Sequence, residues 1–282
     1  MASDSMASNA GVRFLSGPHP RIFAHRGSWQ HTGHPENSLA AFATALRDGA
    51  DILETDARST RDGVAVLCHD AQVNTPGGSL CVHRLAWAEL VDLLGPAAPA
   101  RLEDVLAALP EARFNIDVKS ADAALPVARA IRAARAEERI LLASFSRRRR
   151  RRTEQAIGRP TASSASVWET VGIVLGLAVP PVHRRSRRRL AAVQIPARLG
   201  PFPLATRGLI RRLANRGIET HVWTVNDPDT ARLLLKRGAH GIITDTVPAI
   251  RAVVEPTTTA PETAPEVECS NRREASTQLD RL

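Results

Sequence analysis

The sequence lacks a hydrophobic run long enough to cross a lipid bilayer. The longest candidate, from Val171 to Val182, is too short and contains Pro180 and Pro181. The segment from Met1 to Gly17 is small and polar, without the basic and then apolar pattern of a secretory signal peptide. The composition, 43% hydrophobic and 24% charged, is that of a globular protein. The sequence therefore predicts a cytoplasmic protein.

Cysteine and lysine are both scarce. The three cysteines, Cys68, Cys81 and Cys269, fit no metal-site spacing, and their odd number argues against a disulfide framework. Of the 38 basic residues only two, Lys119 and Lys236, are lysines. This rarity makes each lysine a candidate for a specific role.

Positive charge is concentrated in two arginine runs. Residues 147–152 supply six arginines and residues 184–189 supply five; removing these eleven from the 38 basic residues leaves 27 against 29 acidic ones. Such runs have three interpretations: a solvated helix face, contact with anionic lipid, or nucleic-acid binding. No aromatic residues are interleaved with them, which argues against nucleic acid. We expect a solvated face at Arg147 to Arg152, with weak contact with an anionic membrane surface as the alternative.

Strand-like and helix-like segments alternate along the chain through about eight units. This alternation predicts a parallel (β/α)8 barrel of the TIM type, in a single domain over residues 21–254. Residues 1–20 are predicted to form an N-terminal tail. Residues 255–282, rich in Pro, Thr, Glu and Ser, are predicted to form a disordered C-terminal tail. Inside the barrel domain, Val167 to Leu177 predicts a buried helix, and Pro76-Gly77-Gly78 predicts a loop.

Reactive side chains collect at the ends of the predicted strands: His25, Arg26, Glu54, Asp56, Asp117 and Lys119. In parallel β/α barrels, chemistry occurs where the strands run into the following loops. Side chains two residues apart on a strand share one face, so Glu54 and Asp56 point the same way. Asp117 and Lys119 share a face for the same reason. We therefore expect these side chains to meet at one end of the barrel.

Three carboxylates at one barrel mouth would repel each other without a cation between them. All-oxygen ligands suit a hard divalent ion, Mg²⁺ or Ca²⁺, rather than zinc. One such ion, together with Arg26 and Lys119, leaves one net positive charge, which one phosphodiester anion would neutralise. His25 and His69 are then available as acid and base on the two sides of the phosphorus.

The order and spacing of these motifs resemble the glycerophosphodiester phosphodiesterase family over residues 21–250. The motifs that carry the resemblance are His25-Arg26-Gly27, Pro35-Glu36-Asn37-Ser38, Gly49-Ala50-Asp51 with Glu54 and Asp56, Thr60, Asp62-Gly63, His69-Asp70, Asn115-Ile116-Asp117-Val118-Lys119, Trp223-Thr224-Val225-Asn226 and Gly241-Ile242-Ile243-Thr244-Asp245. No single motif carries it.

The resemblance implies a β/α barrel that hydrolyses glycerophosphodiesters to sn-glycerol 3-phosphate and an alcohol with the help of one divalent cation, Ca²⁺ or Mg²⁺. It implies acid and base roles for His25 and His69. The residues it implies for phosphate or substrate binding are Arg26, Lys119 and Trp223, although Trp223 has an equal alternative as a core residue. The residues it implies as metal ligands are Glu54, Asp56 and Asp117.

One departure from the family pattern concerns the third metal ligand. It is usually glutamate, whereas Asp117 is one methylene shorter and would lengthen one metal contact or place a water between. Two alternative functions stay open at this point. One is a lysophospholipase D-type activity on lysophospholipids, and the other is a non-catalytic barrel that binds anions or lipids.

Overall fold

The structure is a computed structural model, and it describes residues 14–75, 77–176 and 190–254. The predicted C-terminal tail, the arginine run at residues 184–189 and most of the predicted N-terminal tail lie outside these ranges. The single-domain limits at residues 21 and 254 therefore stay a prediction.

The described strands are, in chain order, β1 (Arg21–His25), β2 (Ile52–Ser59), β3 (Ala65–Leu67), β4 (Gln72–Thr75), β5 (Gly78–Cys81), β6 (Phe114–Val118), β7 (Ile140–Ala143), β8 (Ala162–Ser164), β9 (Leu190–Pro196), β10 (Arg198–Leu199), β11 (Phe202–Pro203), β12 (Glu219–Trp223) and β13 (Gly241–Thr244). The helices described between and after them are α1 (Leu39–Arg47), α2 (Trp87–Leu94), α3 (Leu102–Ala108), α4 (Ala124–Ala133), α5 (Arg147–Ile157), α6 (Val167–Val174), α7 (Arg207–Ala214), α8 (Pro228–Lys236) and α9 (Val247–Val254).

Eight of the strands close into a parallel barrel in the order β1-β2-β6-β7-β8-β9-β12-β13. Strand β1 closes the ring because it pairs in parallel with β2 on one side and with β13 on the other. Strand β3 lies outside the ring and pairs antiparallel with the last residues of β2. Helices connect successive barrel strands, so the predicted (β/α)8 barrel is confirmed.

Alternation along each strand separates an outer apolar layer from the barrel interior. In β6, Phe114, Ile116 and Val118 pack outward in the large core shared with helix residues such as Val127 and Ile131. The intervening side chains point inward, where a second cluster contains Phe23, Ile52, Leu141 and Ile243. In both layers burial of apolar surface stabilises the fold.

Part of the predicted N-terminal tail packs on the barrel. Phe14 is fully buried and belongs to the interior cluster with Phe23 and Ile52. Arg113, which precedes β6, donates hydrogen bonds to the carbonyls of Phe14 and Ser16 at 3.0 and 2.8 Å. Phe14 therefore closes the end of the barrel at which the strands begin, which we call the bottom.

One local prediction was wrong. The helix predicted as buried at Val167 to Leu177 is α6, which ends at Val174 and has no buried residue. Its apolar composition indicated burial, but Trp168 is 81% exposed. The loop predicted around Pro76-Gly77-Gly78 includes Pro76, which lies outside the described residues, and on either side of it β4 pairs antiparallel with β5. Gly78, with φ +115°, begins the returning strand.

A membrane-spanning helix would need a length and apolar character that none of the helices in residues 14–75, 77–176 and 190–254 has.

Candidate active site

His25 is the last residue of β1 and lies at the end of the barrel where the strands end, which we call the mouth. Its Nδ1 is 2.6 Å from Oδ1 of Asp245, and its Nε2 is 3.9 Å from Oε2 of Glu54. Because the carboxylate accepts the proton on Nδ1, Nε2 is the ring atom left for acid and base chemistry. Burial lowers the pKa of His25, but the hydrogen bond to Asp245 and the charges of Glu54 and Asp245 outweigh it, so the pKa is raised.

Asp245, directly after β13, is itself held in place. Asn226 donates from Nδ2 to Asp245 Oδ2 at 2.8 Å, and Asn226 Oδ1 accepts from the Asp245 backbone N–H at 2.8 Å. Burial raises the pKa of Asp245, but hydrogen bonds from His25 and Asn226 outweigh it, so the pKa is lowered. Sequence reasoning gave Asp245 no role, although it follows a strand as directly as Lys119 does.

Arg26 turns back over the mouth because of an unusual backbone conformation. It has φ +60°, and its N–H donates to the Glu54 carbonyl at 3.0 Å. Its guanidinium reaches Glu36 at 2.9 Å and Asp56 at 3.2 Å. The next residue, Gly27, has φ +84°, and a Cβ there would lie 2.8 Å from the backbone of α1. Only glycine fits this close approach, which fixes the loop that carries Arg26.

Strand register brings the predicted carboxylates together. Glu54 is opposite Asn115, and Asp56 is opposite Asp117 on the neighbouring strand β6. All four side chains are buried. Lys119 follows β6 and places Nζ 2.7 Å from Asp56 Oδ1 and 2.8 Å from Asp117 Oδ2. A lysine two residues beyond Asp117 therefore lies over the carboxylates on the shared face.

The mouth carries more buried negative charge than its two cations offset. Burial, and then the charge of Asp56, raise the pKa of Glu54 to about 8, although His25 and Lys119 act in the opposite direction. Burial also raises the pKa of Asp117, partly offset by Lys119. Burial lowers the pKa of Lys119, but Asp117 and Asp56 outweigh it, so its pKa is raised. Lys119 is therefore a charged ammonium between two acids.

The donor set fits a hard divalent cation in its chemistry. Buried oxygens of Asn115 (Oδ1) and Asp117 (Oδ1) have no hydrogen-bond partner, and Asp56 Oδ2 has only the ion pair with Arg26. Carboxylate and amide oxygens are the ligands that Ca²⁺ and Mg²⁺ prefer. Within the described residues, no three His, Cys, Asp or Glu side chains converge at metal-binding distance, and Lys119 bridges Asp56 and Asp117. The residues fit the ion, and the ammonium occupies part of the space between them.

His69 and Trp223 lie at the edge of this network. His69 is in the loop after β3, with Nδ1 2.8 Å from Asp70 Oδ1 and its side chain 41% exposed. The loop is tied to the mouth because the Cys68 N–H donates to the Asp56 carbonyl at 3.0 Å. Trp223 is the last residue of β12 and packs, partly buried, on the interior cluster. The structure therefore joins the other six predicted residues directly and places these two around them.

The arginine run of α5 is divided between the site and the surface. Arg149 donates hydrogen bonds to the carbonyls of Val118 and Lys119. Arg150 is buried and pairs with Glu154 at 2.6 Å and Glu169 at 2.9 Å. The expectation of a solvated face was therefore wrong for these two, because the helix turns one side of the run toward the barrel. Arg147, Arg148, Arg151 and Arg152 are exposed.

Comparison with known proteins identifies the family. The Glycerophosphoryl diester phosphodiesterase family model matches residues 25–249. The chain belongs to this family. A probable glycerophosphodiester phosphodiesterase 2 of Mycobacterium tuberculosis is 38% identical over 253 residues, which cover 86% of this chain and 94% of the relative. The predicted resemblance is confirmed.

Solved structures of similar proteins have the same fold. A glycerophosphodiester phosphodiesterase from Agrobacterium tumefaciens superposes with TM-score 0.67 at 24% identity, covering 84% of this chain and 99% of its own. An Oleispira antarctica phosphodiesterase, solved in complex with the product sn-glycerol-3-phosphate, superposes with TM-score 0.63 at 19% identity, covering 83% and 96%. At these identities the likeness supports the barrel fold.

Proposed function

We propose that the protein hydrolyses glycerophosphodiesters to sn-glycerol 3-phosphate and an alcohol. The observation that carries this proposal is the single network at the mouth, where the His25–Asp245 pair meets three buried carboxylates and two cations. Phosphodiester hydrolysis needs these elements: a proton acceptor, a proton donor and positive charge around the phosphoryl oxygens.

Acid and base catalysis is assigned to two histidines. His25 takes the proton of the attacking hydroxyl, either water or the glycerol hydroxyl of the substrate, at Nε2. Asp245 stabilises the imidazolium that forms, because its carboxylate accepts the hydrogen bond from Nδ1 at 2.6 Å. As the new P–O bond forms, the P–O bond to the alcohol breaks. Attack by water gives sn-glycerol 3-phosphate directly, whereas attack by the glycerol hydroxyl gives a cyclic phosphate, whose ring a water molecule then opens to glycerol 3-phosphate. His69, on the exposed loop beside Asp56, gives its proton to the departing alkoxide.

Positive charge at the mouth binds the phosphate. Arg26 and Lys119 each make an ion pair with Asp56, and both are partly exposed toward the mouth. Glu54, Asp56 and Asp117 would hold one Ca²⁺ or Mg²⁺ ion, which when bound supplies charge stabilisation to the phosphoryl oxygens. Trp223 is assigned to the wall of the substrate pocket.

The release of sn-glycerol 3-phosphate from glycerophosphocholine or glycerophosphoethanolamine tests the proposal. Release with Mg²⁺ or Ca²⁺, lost on addition of EDTA and in His25→Ala, would support it. The matched control is Leu233→Ala, a half-exposed residue on α8 away from the mouth. Absence of release with Mg²⁺, Ca²⁺ and Mn²⁺, in protein that is folded, would contradict it.

Lysophospholipids are a second candidate substrate class. The observation in its favour is apolar surface near the site: the Phe145 ring lies 5.6 Å from Lys119 Nζ and is 54% exposed. An acyl chain could lie against such a surface, whereas a deacylated diester has none. Release of choline from lysophosphatidylcholine at a higher kcat/KM than from glycerophosphocholine would favour this class.

A further inference from the structure

Exposed apolar side chains surround one side of the mouth. Phe145, Trp168, Leu199 and Phe202 are 54%, 81%, 66% and 73% exposed, and they are four of the five most exposed large hydrophobic side chains in the described part of the chain. We call these four residues the apolar rim. Isolated exposed hydrophobic residues are ordinary on protein surfaces, but a group at one place marks an interaction site.

The residues of the apolar rim follow neighbouring strands of the barrel. Phe145 follows β7, Trp168 follows β8, and Leu199 and Phe202 follow β9, three strands adjacent in the barrel. The Val167 N–H donates to the Phe145 carbonyl at 3.3 Å, which joins the first two segments. Leu199 and Phe202 are opposite each other in the β10–β11 hairpin. All three segments lie at the strand ends, beside the candidate active site.

Exposed arginines adjoin the apolar rim. Arg147, Arg148, Arg151 and Arg152, with Gln155, line an open depression of about 680 Å³ on α5. Arg147 is 3.0 Å from Glu169 on α6, so the start of α5 is fixed beside Trp168. Among the described residues, Arg148, Arg151 and Arg152 have no acidic partner. Arg151 and Arg152 lie one helical turn, about 6 Å, further from the mouth.

We propose that the apolar rim and these exposed arginines form a docking surface for an anionic phospholipid bilayer. Trp and Phe prefer the boundary between headgroups and acyl chains, and Arg side chains one turn behind them match the level of the anionic headgroups. The charge complementarity favours this occupant over a neutral apolar partner. Docking in this orientation places the mouth against the bilayer. The proposal extends the proposed function but does not require turnover.

Vesicle co-sedimentation of the full chain tests this surface. We expect binding to vesicles of phosphatidylcholine with phosphatidylglycerol, little binding to phosphatidylcholine alone, and weaker binding as salt is raised. The triple variant Arg148→Glu, Arg151→Glu and Arg152→Glu should lower the affinity by about tenfold or more. The double variant Trp168→Ala and Phe202→Ala should lower it by a similar factor.

Matched controls lie on α8, on another side of the barrel. Leu233→Ala removes an exposed apolar side chain, and Lys236→Glu reverses an exposed charge; both should bind mixed vesicles as the wild type does. Tryptophan emission gives an independent readout. Mixed vesicles should shift the emission of the wild type to shorter wavelength, and this shift should be smaller in Trp168→Phe.

Several results would overturn the docking surface. These are absence of binding to mixed vesicles, equal binding by the wild type, the arginine triple variant and the Trp168 and Phe202 variant, or equal binding to vesicles with and without phosphatidylglycerol. A concentration-dependent dimer lost in the Trp168 and Phe202 variant, without vesicle binding, would assign the rim to a second copy of the chain. Vesicle binding without hydrolysis of soluble glycerophosphocholine would leave this inference standing and count against the proposed function.

Discussion

The two ends of the barrel interior both contain buried charge, but only one end is balanced. At the bottom, both oxygens of Glu219 are paired: Arg21 Nη1 lies 2.8 and 2.6 Å from them, and His221 Nε2 is 3.0 Å from Oε2. At the mouth, Asp117 keeps a buried oxygen without a hydrogen-bond partner, and three buried carboxylates face only two cations, Arg26 and Lys119. The two ends are about 13 Å apart along β1, from Arg21 to His25.

The pKa values of the acids at the two ends move in opposite directions although both acids are buried. Burial raises the pKa of Glu219, but hydrogen bonds from His221 and Arg21 outweigh it, so the pKa is lowered. Burial and the charge of Asp56 raise the pKa of Glu54 to about 8. Burial raises the pKa of both acids, so their charged and hydrogen-bonding partners decide whether the net pKa shift is upward or downward. A paired buried acid is a structural element, whereas the excess of buried negative charge at the mouth is the feature on which the proposed cation site rests.

The largest effect is expected for His25→Ala. Removing the proposed base should lower kcat for glycerophosphodiester hydrolysis by about 10²–10⁴-fold, with little change in the free energy of unfolding. The matched change at the bottom is His221→Gln, which should lower stability but leave the kcat of the folded protein near that of the wild type. Initial rates of glycerol 3-phosphate release, with melting temperatures, check both. Equal losses of activity in His25→Ala and His221→Gln would show that the mouth and the bottom do not differ in their role in hydrolysis.

At the bottom, Arg21→Met should lower the free energy of unfolding by about 3–5 kcal/mol, because it leaves Glu219 buried without its cation. Arg21 is only 1% exposed, so water cannot replace the guanidinium. Urea unfolding measures the change, and the double variant Arg21→Met, Glu219→Gln should recover much of the loss. A loss below about 1 kcal/mol, as for an exposed ion pair, would show that the bottom cluster does not stabilise the fold.

At the mouth, Glu54→Gln should raise the stability of the metal-free protein at neutral pH, whereas Arg21→Met should lower stability at the bottom. The folded-state pKa of Glu54, about 8, is above its ordinary value of 4.5, so the folded protein binds more protons between these values. Stability of the wild type should therefore fall as pH rises from about 5 to about 8, and the neutral amide should remove this part of the decrease. Melting temperatures in EDTA across this range measure it. Parallel curves of melting temperature against pH for the wild type and Glu54→Gln would contradict the raised pKa of Glu54.

A smaller effect is expected for Asp245→Asn, a change at a residue that positions His25. Without the carboxylate, the pKa of His25 should fall, so the acidic limb of the kcat/KM profile should move to lower pH. We expect kcat to fall by about tenfold, a fraction of the contribution of general acid–base catalysis. The pH profile distinguishes the two roles, because a loss of packing alone would lower kcat without moving the acidic limb. A profile with an unchanged acidic limb would show that Asp245 does not raise the pKa of His25.

Sequence patterns predicted the barrel and most of the site because both depend on local periodicity. Strand alternation fixes which side chains share the interior face, and parallel strands end at one mouth, so Glu54, Asp117 and Lys119 could be grouped from spacing alone. The side chain of Arg150 could not be placed in this way. Its burial depends on Glu169, 19 residues later, which sequence spacing does not bring together. The exposure of α6 likewise depends on its place relative to the other described elements, which its apolar composition does not indicate.

The charge excess at the mouth is tested most directly by a crystal grown with Mn²⁺ and sn-glycerol 3-phosphate. The anomalous signal of manganese locates the ion independently of any activity. We expect one manganese peak within coordination distance of Glu54 and Asp56, directly or through a water at Asp117, and Lys119 Nζ moved away from Asp56 toward the phosphate. A crystal with glycerol 3-phosphate bound at Arg26 and Lys119 but no manganese at these carboxylates would show that the buried negative charge at the mouth does not bind a divalent cation.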